Sequence, residues 1–417
     1  MSKVPPAILK GTRDFTPTQM RQRQRVMQLL QRTFEQYGFD PIETPILNPA
    51  ETILGKYGEE GDKLTYSFLD NGERKIALPY DLTVPFARYV AQYWRELPMP
   101  FKRYQMQRVW RAEKPQKGRL REFYQCDIDV IGTKSLLCEA EIISIIYRVF
   151  TALEIPGFVI QINSRRLLNS ILDSQGITTE QIPMVLRIID KLDKIGEAGV
   201  IAELEQAGFA SGAALLNSLQ PDQLTKFDTS ELDTVLAYTK QLGVPDGVIQ
   251  VTPTLARGLD YYTGLVIETV VPNSGIGTVC AGGRYDNLCG MFCDQDFSGI
   301  GVSFGFERIM LLLEQQTQVT TPSTTALITL FNVDSTEPAL ALLKQLQAAK
   351  IAAELYYQPD KLQKQFKYAN QKQIPFVIVQ GPDELAQQQV TVKQMQSGTQ
   401  KTIPLHQLVD YIQGFYV

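Results

Sequence analysis

From residue 165 to residue 242, leucine, isoleucine and alanine recur at three- and four-residue spacing between short polar breaks. That is the periodicity of amphipathic helices. Strand-like segments flank it: 67–69, 75–79, 103–110 and 122–131 before, and 247–252, 264–271, 277–281 and 299–304 after. Few folds accommodate this order. Strands on both sides predict one shared, largely antiparallel sheet in an α+β domain, with a helical insertion at about 165–245.

Helical spacing also marks residues 18–37, where Val26, Leu29, Leu30, Phe34 and Tyr37 form one stripe and Gly38 is the stop. A second helix at 136–153 buries Ile142, Ile145, Ile146 and Phe150, and a third at 307–314 closes the unit. The proline-broken segment FDPIETPILNP (39–49) suits a sheet edge or a subunit contact better than a central strand. Residues 319–325 (VTTPSTT) have linker composition. Beyond them the apolar runs ALITLF, AAELYY and PFVIVQ alternate with helical stretches at 337–349 and 361–371, the pattern of βαβ units with parallel strands. A separate α/β domain is expected there.

Composition narrows the chemistry. No uninterrupted apolar stretch approaches about eighteen residues, and no hydrophobic signal core opens the sequence, so a cytosolic protein without membrane association is expected. The five cysteines include no CxxC pair, which argues for reduced thiols and against a zinc site; only Cys289 and Cys293 come close to ligand spacing. His406 is the sole histidine, in TIPLHQLVDYI, and reads as a surface residue at the start of the last helix. Ser-His and Cys-His catalysis are thereby disfavoured, and chemistry must rest on carboxylates, arginines, tyrosines or a bound ion. Net charge is −4, yet eight basic residues and one acid, Glu113, lie between Lys102 and Arg121. This predicts a local polyanion site on an acidic protein.

That cluster belongs to QRVWRAEKPQKGRLREFYQCDID, read as a strand with Arg111, a polar loop, and a return strand with Arg119, Arg121, Gln125 and Asp129. Alternation puts Gln125, Asp127 and Asp129 on one face, a carboxylate-rich wall beside arginines of the neighbouring strand. Such a wall suits a zwitterion or cation next to a phosphate; the bland alternative is a solvated charged hairpin. In TLARGLDYYTG, Arg257 precedes Asp260, Tyr261 and Tyr262; a fixed guanidinium there would offset charge developing in a displacement, or else make an Arg-Asp structural pair. AGGRYDNL reads as a Gly-Gly turn placing Arg284 and Tyr285, and GIGVSFGFERIM as a buried strand with Arg308 at a helix start, where cation and helix terminus suit a terminal phosphate.

Together RGLDYYTG, AGGRYDNL, GFER, the RxE of Arg111 and Glu113, and the opening KGTRDF resemble histidyl-tRNA synthetases, members of the class II aminoacyl-tRNA synthetases, across essentially the whole chain. RGLDYYTG is highly specific, whereas GFER and RxE are shared by the class. The resemblance implies a class II catalytic domain over 1–320, built on an antiparallel sheet, and an α/β anticodon-binding domain over 325–417. It implies activation of L-histidine with ATP and Mg2+ and transfer to the 3′ end of tRNA(His), without zinc or an organic prosthetic group. Arg111 would grip the α-phosphate, Glu113 the adenine side and Arg308 the γ-phosphate; either Arg119 or Arg121 would also touch phosphate. The loop YDLT, with Asp81, Leu82 and Thr83, and Gln125 would hold the α-amino group. Asp129 and Tyr262, with Tyr261 beside them, would read the imidazole, and Arg257 would approach the reacting carboxylate and α-phosphate. Lys361, Lys364, Lys367 and Lys372 would face the tRNA backbone, and the segment at 39–49 resembles the class II dimer motif, so a homodimer is expected.

The principal alternative is a non-catalytic relative that senses histidine as the regulatory subunit of ATP phosphoribosyltransferase. Another class II synthetase would explain Arg111 and Arg308 but not LDYYTG.

Overall fold

The computed structural model describes residues 4–56, 58–116, 118–209, 211–255, 262–315 and 322–415. The chain divides into two compact units, Met1–Asp14 with Arg23–Gln318, and Phe15–Gln22 with Val319–Val417.

The first unit is organised by an eight-stranded sheet. Its strands are β1 (Asp40–Pro41), β2 (Phe101–Trp110), β3 (Glu122–Ile131), β4 (Val159–Ser164), β5 (Ile249–Val251), β6 (Leu265–Val270), β7 (Cys280–Tyr285) and β8 (Gly299–Gly305). The spatial order is β1-β2-β3-β8-β7-β6-β4-β5. The outermost pairs, β1 with β2 and β4 with β5, are parallel, and every pair between them is antiparallel. The proline-bearing β1 is an edge strand, where a missing N–H costs no ladder bond. β4 was not anticipated: FVIQINS carries its isoleucines at strand spacing, but they merge with the preceding helical pattern.

Strand alternation gives the sheet two different faces. Tyr104, Cys126, Ile128, Val130, Ile160, Ile162, Ile267, Ile300, Val302 and Phe304 point into one core with Val26, Leu30 and Phe34 of α1 (Pro17–Gln36) and Ile142, Ile145, Ile146 and Phe150 of a second long helix, Leu137–Ala152. The rings of Phe34 and Phe150 both contact Phe304, at 5.4 and 6.3 Å. Burial of each such side chain contributes about 1.5–3 kcal/mol. α1 begins with a capping box, Thr16 N–H donating to the Gln19 side chain and Gln19 N–H to the Thr16 hydroxyl, and ends at Gly38 with φ +75°.

The opposite face is polar but still buried. Arg103, Gln105 and Gln107 on β2 stand in register with Asp129, Asp127 and Gln125 on β3. A three-stranded sheet formed by Asn48–Pro49, Ser67–Leu69 and Lys75–Ala77 lies in the same unit.

The stretch between β4 and β5 is helical, as its periodicity indicates: Arg165–Ser174, Ile182–Ile189, Leu192–Gln206, Gly212–Ser218 and Ser230–Gln241. Its apolar residues, Leu168, Ile171, Val185, Leu204 and Val235 among them, share the core of the sheet instead of forming one of their own. AGGRYDNL, expected as a turn, is mostly strand β7. The glycines serve close backbone approach: a Cβ at Gly282 would sit 2.0 Å from the Gly301 carbonyl oxygen, and one at Gly283 2.4 Å from that of Leu265.

The second unit holds a five-stranded sheet. Ala353–Leu355, Ala326–Ile328 and Phe376–Val379 are parallel, as the apolar runs predict, and Gln389–Gln394 and Gln400–Pro404 extend it antiparallel. Those last two strands are half polar, which hid them in the sequence. Helices Thr336–Ala348 and Leu362–Gln371 connect the parallel strands. His406 is exposed in a short 3-10 turn at Leu405–Gln407.

Candidate active site

A cavity of about 600 Å³ opens over the polar face of the sheet in the first unit. Residues from six places in the sequence line it: Asp81 and Thr83; Arg111, Glu113 and Arg119; Gln125, Asp127 and Asp129; Tyr262; Tyr285; and Gly301, Ser303, Glu307 and Arg308. Asp190 and Lys194, from the helical stretch, reach the same cavity.

Its floor is a buried polar ladder. Arg103 is fully buried, its guanidinium 2.7 Å from the Asp129 carboxylate and 4.3 Å from the centre of the Phe86 ring. Gln105 accepts from Arg103 and donates to Gln107 (2.6 Å) and to the Thr44 hydroxyl, and Gln107 donates to the Thr44 carbonyl. These bonds tie the amide side chains of the floor to one another and to Thr44. Asp129 also accepts from the Tyr285 hydroxyl at 2.6 Å. Gly301 lies beneath Asp129, where a Cβ would come within 1.9 Å of Oδ1.

Three carboxylates, Asp81, Asp127 and Asp129, share this low-dielectric site. Burial pushes Asp127 up to about 7, against the pull of Arg103 and with a further push from Asp129. Burial also raises Asp129, opposed by Arg103 and by the Tyr285 hydrogen bond. Asp81 accepts from the backbone N–H groups of Thr83 and Val84, so it caps the helix Thr83–Tyr93 while lining the cavity.

The cationic side is ordered by packing. Arg111 donates to the Tyr80 carbonyl and lies over the rings of Tyr80 and Phe123, at 4.3 and 5.2 Å. Arg308, in the first turn of the helix Phe306–Glu314, donates to the Thr278 carbonyl. Glu307, next to it, is clamped by both guanidinium nitrogens of Arg23, at 2.6 and 2.7 Å. Arg119 lies 3.7 Å from Glu113.

The eight-residue basic cluster does not form one polyanion patch, because strand alternation and local acids divide it. Lys102 pairs with Glu141, Arg108 with Glu122, and Arg103 turns inward to Asp129. Arg121 is not among the lining residues: it donates to the carbonyls of Glu113 and Lys10, and so pins the opening segment to the loop. Leu82 is fully buried and also absent from the lining. Arg284 points away from Tyr285 across the strand and pairs with buried Glu139. Arg257, Asp260, Tyr261 and Lys117 lie outside the described residues. Cys289 packs in an apolar cluster, where burial pushes its thiol up to about 12.

Residues that sequence reasoning left without a role include Arg103, Tyr285, Ser303, Gly301, Asp190 and Lys194. Arg103 carries a readable signal, since it shares strand parity with Gln105 and Gln107, but only the register of β2 on β3 pairs it with Asp129.

In the second unit, Lys361 and Lys372 flank the helix that carries Lys364 and Lys367. Lys364 pairs with Asp360 and Lys372 with Glu354, so two of the four lysines have their charge matched locally.

The arrangement combines an acidic, hydrogen-bonding wall for a small cationic or zwitterionic molecule with fixed guanidinium groups for a polyphosphate. Comparison with known proteins agrees. The family model described as histidyl-tRNA synthetase matches residues 11–309, and that described as anticodon binding domain matches 325–414. A histidine–tRNA ligase of Cytophaga hutchinsonii is 40% identical, with 97% of this chain and 98% of the relative covered. One of Christiangramia forsetii is 39% identical over the same shares. The crystal structure of histidyl-tRNA synthetase from Nostoc sp. PCC 7120 superposes with a TM-score of 0.88 at 32% identity, covering 99% of this chain and all of that one. The chain therefore belongs to the histidyl-tRNA synthetase family, with a class II catalytic fold followed by an anticodon-binding domain.

Proposed function

We propose that the protein activates L-histidine with ATP in the cavity of the first unit and then charges tRNA(His). The observation that carries this reading is one cavity that holds both the acidic wall and the arginines Arg111, Arg119 and Arg308. In the first step a histidine carboxylate oxygen attacks the α-phosphorus, forming the histidyl-adenylate and expelling pyrophosphate. In the second, the terminal ribose hydroxyl of the tRNA attacks the adenylate carbonyl and AMP leaves. Neither step needs a histidine base; positioning and stabilisation of phosphate charge supply most of the acceleration.

Arg111, stacked and hydrogen-bonded in place, binds the α-phosphate, and Glu113 faces the adenine. Arg308 takes the γ-phosphate at a helix N-terminus, and Arg119 is favoured over Arg121 as the additional phosphate contact because it lines the cavity. Mg2+ enters with ATP as part of the substrate. Asp81, Thr83 and Gln125 hold the α-ammonium, and Asp129 and Tyr262 bound the ring end. Arg257 completes the site at the reacting carboxylate, with Tyr261 beside it; both roles come from the motif RGLDYYTG.

Residues 1–320 are proposed as the catalytic domain and 325–417 as the part that reads the anticodon. A homodimer is proposed, supported by exposed Ile46, Leu47, Phe68 and Leu69 around the small sheet. A cytoplasmic site of action fits five unpaired cysteines.

The deciding experiment is amino-acid-dependent ATP–pyrophosphate exchange against all twenty amino acids, followed by charging of tRNA(His). Exchange with histidine alone is expected. Histidine binding without exchange would replace this reading with that of a histidine-sensing regulatory protein.

A further inference from the structure

The loop that joins β2 to β3 brings Arg111, Glu113 and Arg119 to the cavity. At its base the Arg111 N–H donates to the Arg121 carbonyl at 2.9 Å, and at its tip Gln116 and Arg119 exchange backbone bonds at 3.2 and 2.9 Å. Between base and tip the side chain of Arg121 is the staple. Its Nε donates to the Glu113 carbonyl at 3.1 Å and its Nη1 to the Lys10 carbonyl at 3.3 Å. Neither Arg121 nor Lys10 lines the cavity.

The opening segment is shaped to receive that side chain. Thr12 donates through its N–H and its hydroxyl to the Leu9 carbonyl, at 3.0 and 2.8 Å, closing a turn that contains Gly11 with φ +92°. The Gly11 carbonyl in turn accepts from the Arg121 N–H at 2.7 Å. A Cβ on Gly11 would lie 2.8 Å from Cγ of Arg121 and 2.8 Å from Cγ of Pro115, so both the turn and the contact require glycine. Backbone and side chain of one arginine thus join three pieces of chain: residues 9–12, the outgoing limb of the loop at Glu113, and the return limb.

We propose that residues 9–12 are a positioning element of the ATP site, acting through Arg121 on the backbone of Glu113 and so setting Glu113 and Arg111 against the nucleotide. This rests on the reading of the cavity as the site of adenylate formation. Arg121 is a positioning residue that touches no substrate. Arginine suits the task because its planar fork holds two carbonyls in fixed geometry, which an ammonium on a flexible stem does not. Misplacing a binding group by about 1 Å costs up to about a hundredfold in rate, so a brace outside the cavity has leverage on the reaction inside it.

Two variants break the same contact from opposite sides, Arg121→Met from the loop and Gly11→Ala from the opening segment. Both residues are partly exposed and outside the hydrophobic cores, so the fold is retained. In ATP–pyrophosphate exchange each variant is expected to raise the KM for ATP about tenfold, with the histidine KM within about twofold of the parent. The double variant should be no worse than the more affected single one, because both changes remove one interaction. Adenosine, used as a competitor of ATP, should weaken in parallel in both, and Arg121→Lys, which keeps the charge, should not restore the ATP KM. Weaker ATP with unchanged adenosine in Arg121→Met would assign Arg121 directly to phosphate and overturn the proposal. Recovery in Arg121→Lys, an unaffected Gly11→Ala, additive losses in the double variant, or a histidine KM that rises as far as that for ATP overturn it equally. Normal exchange with impaired charging of tRNA moves both residues to the RNA and overturns it as well. Absence of histidine-dependent exchange in the unsubstituted chain is a different failure, that of the synthetase reading itself.

Discussion

The guanidinium of Arg103 and the carboxylate of Asp129 meet at 2.7 Å with essentially no exposure to water, on neighbouring strands whose register sets them face to face. Arg103 is the cation that opposes the raised proton affinity of both Asp127 and Asp129. One residue outside the cavity lining thus lowers the proton affinity of its wall, against the larger effect of burial.

Replacing Arg103 with methionine should therefore cost about 3–5 kcal/mol, the penalty for stranding a buried charge. Both tryptophans, Trp94 and Trp110, are in the first unit. Urea unfolding followed by tryptophan fluorescence measures the loss there; a change under about 1 kcal/mol would show that the pair adds little beyond an apolar isostere.

The raised Asp127 carboxyl has a definite sign in stability. Its folded value of about 7 lies above the ordinary 3.8. Its contribution is complete below about pH 3.8 and lost as pH rises through about 7. Asp127→Asn, which cannot ionise, should gain on the parent over that window and hold the gain above it. Melting temperatures of both proteins from pH 5 to 8.5 check this, and a constant gap would exclude it.

Gly301→Ala puts a methyl group 1.9 Å from Asp129 Oδ1, against backbone of Ile128 at 2.8 Å. Asp129 must swing away from Tyr285 and Arg103. The expected outcome is a loss of histidine activation of at least about tenfold, the scale of one mispositioned contact, while ATP binding by equilibrium dialysis is retained.

Arg23→Met leaves Glu307 buried without its bidentate partner, next to Arg308. Stability should fall by about 3–5 kcal/mol, and the KM for ATP should rise more than that for histidine because the disturbed helix carries the phosphate arginine. Steady-state exchange kinetics separate the two constants.

Much of this site was legible in the sequence because strand geometry is periodic. Gln125, Asp127 and Asp129 alternate, and alternation alone places them on one wall. The Arg111 and Arg308 segments announced themselves by residue type. What escaped depends on register and tertiary partners. Arg103 looked like one of eight surface charges until β2 was aligned with β3. Arg121 looked equivalent to Arg119, but the two share strand parity and only tertiary partners separate them: Arg119 lines the cavity, whereas Arg121 donates to the backbone carbonyls of Glu113 and Lys10. The Gly-Gly of AGGRYDNL suggested a turn because glycine's commonest use is conformational, whereas here two neighbouring strands need the space. The helical stretch was recognised as helical, yet no periodicity says that its leucines would join the core of the sheet.

The strand that bears the acidic wall is paired along all ten of its residues to β2 and along seven of them, Gln125–Ile131, to β8, with an apolar core behind it. Its backbone position is thus fixed by bonds that ignore what residues 125, 127 and 129 carry. Altering those side chains changes what the pocket accepts without redrawing the scaffold, so ligand choice in this fold is open to stepwise evolution, or to redesign, one alternate position at a time.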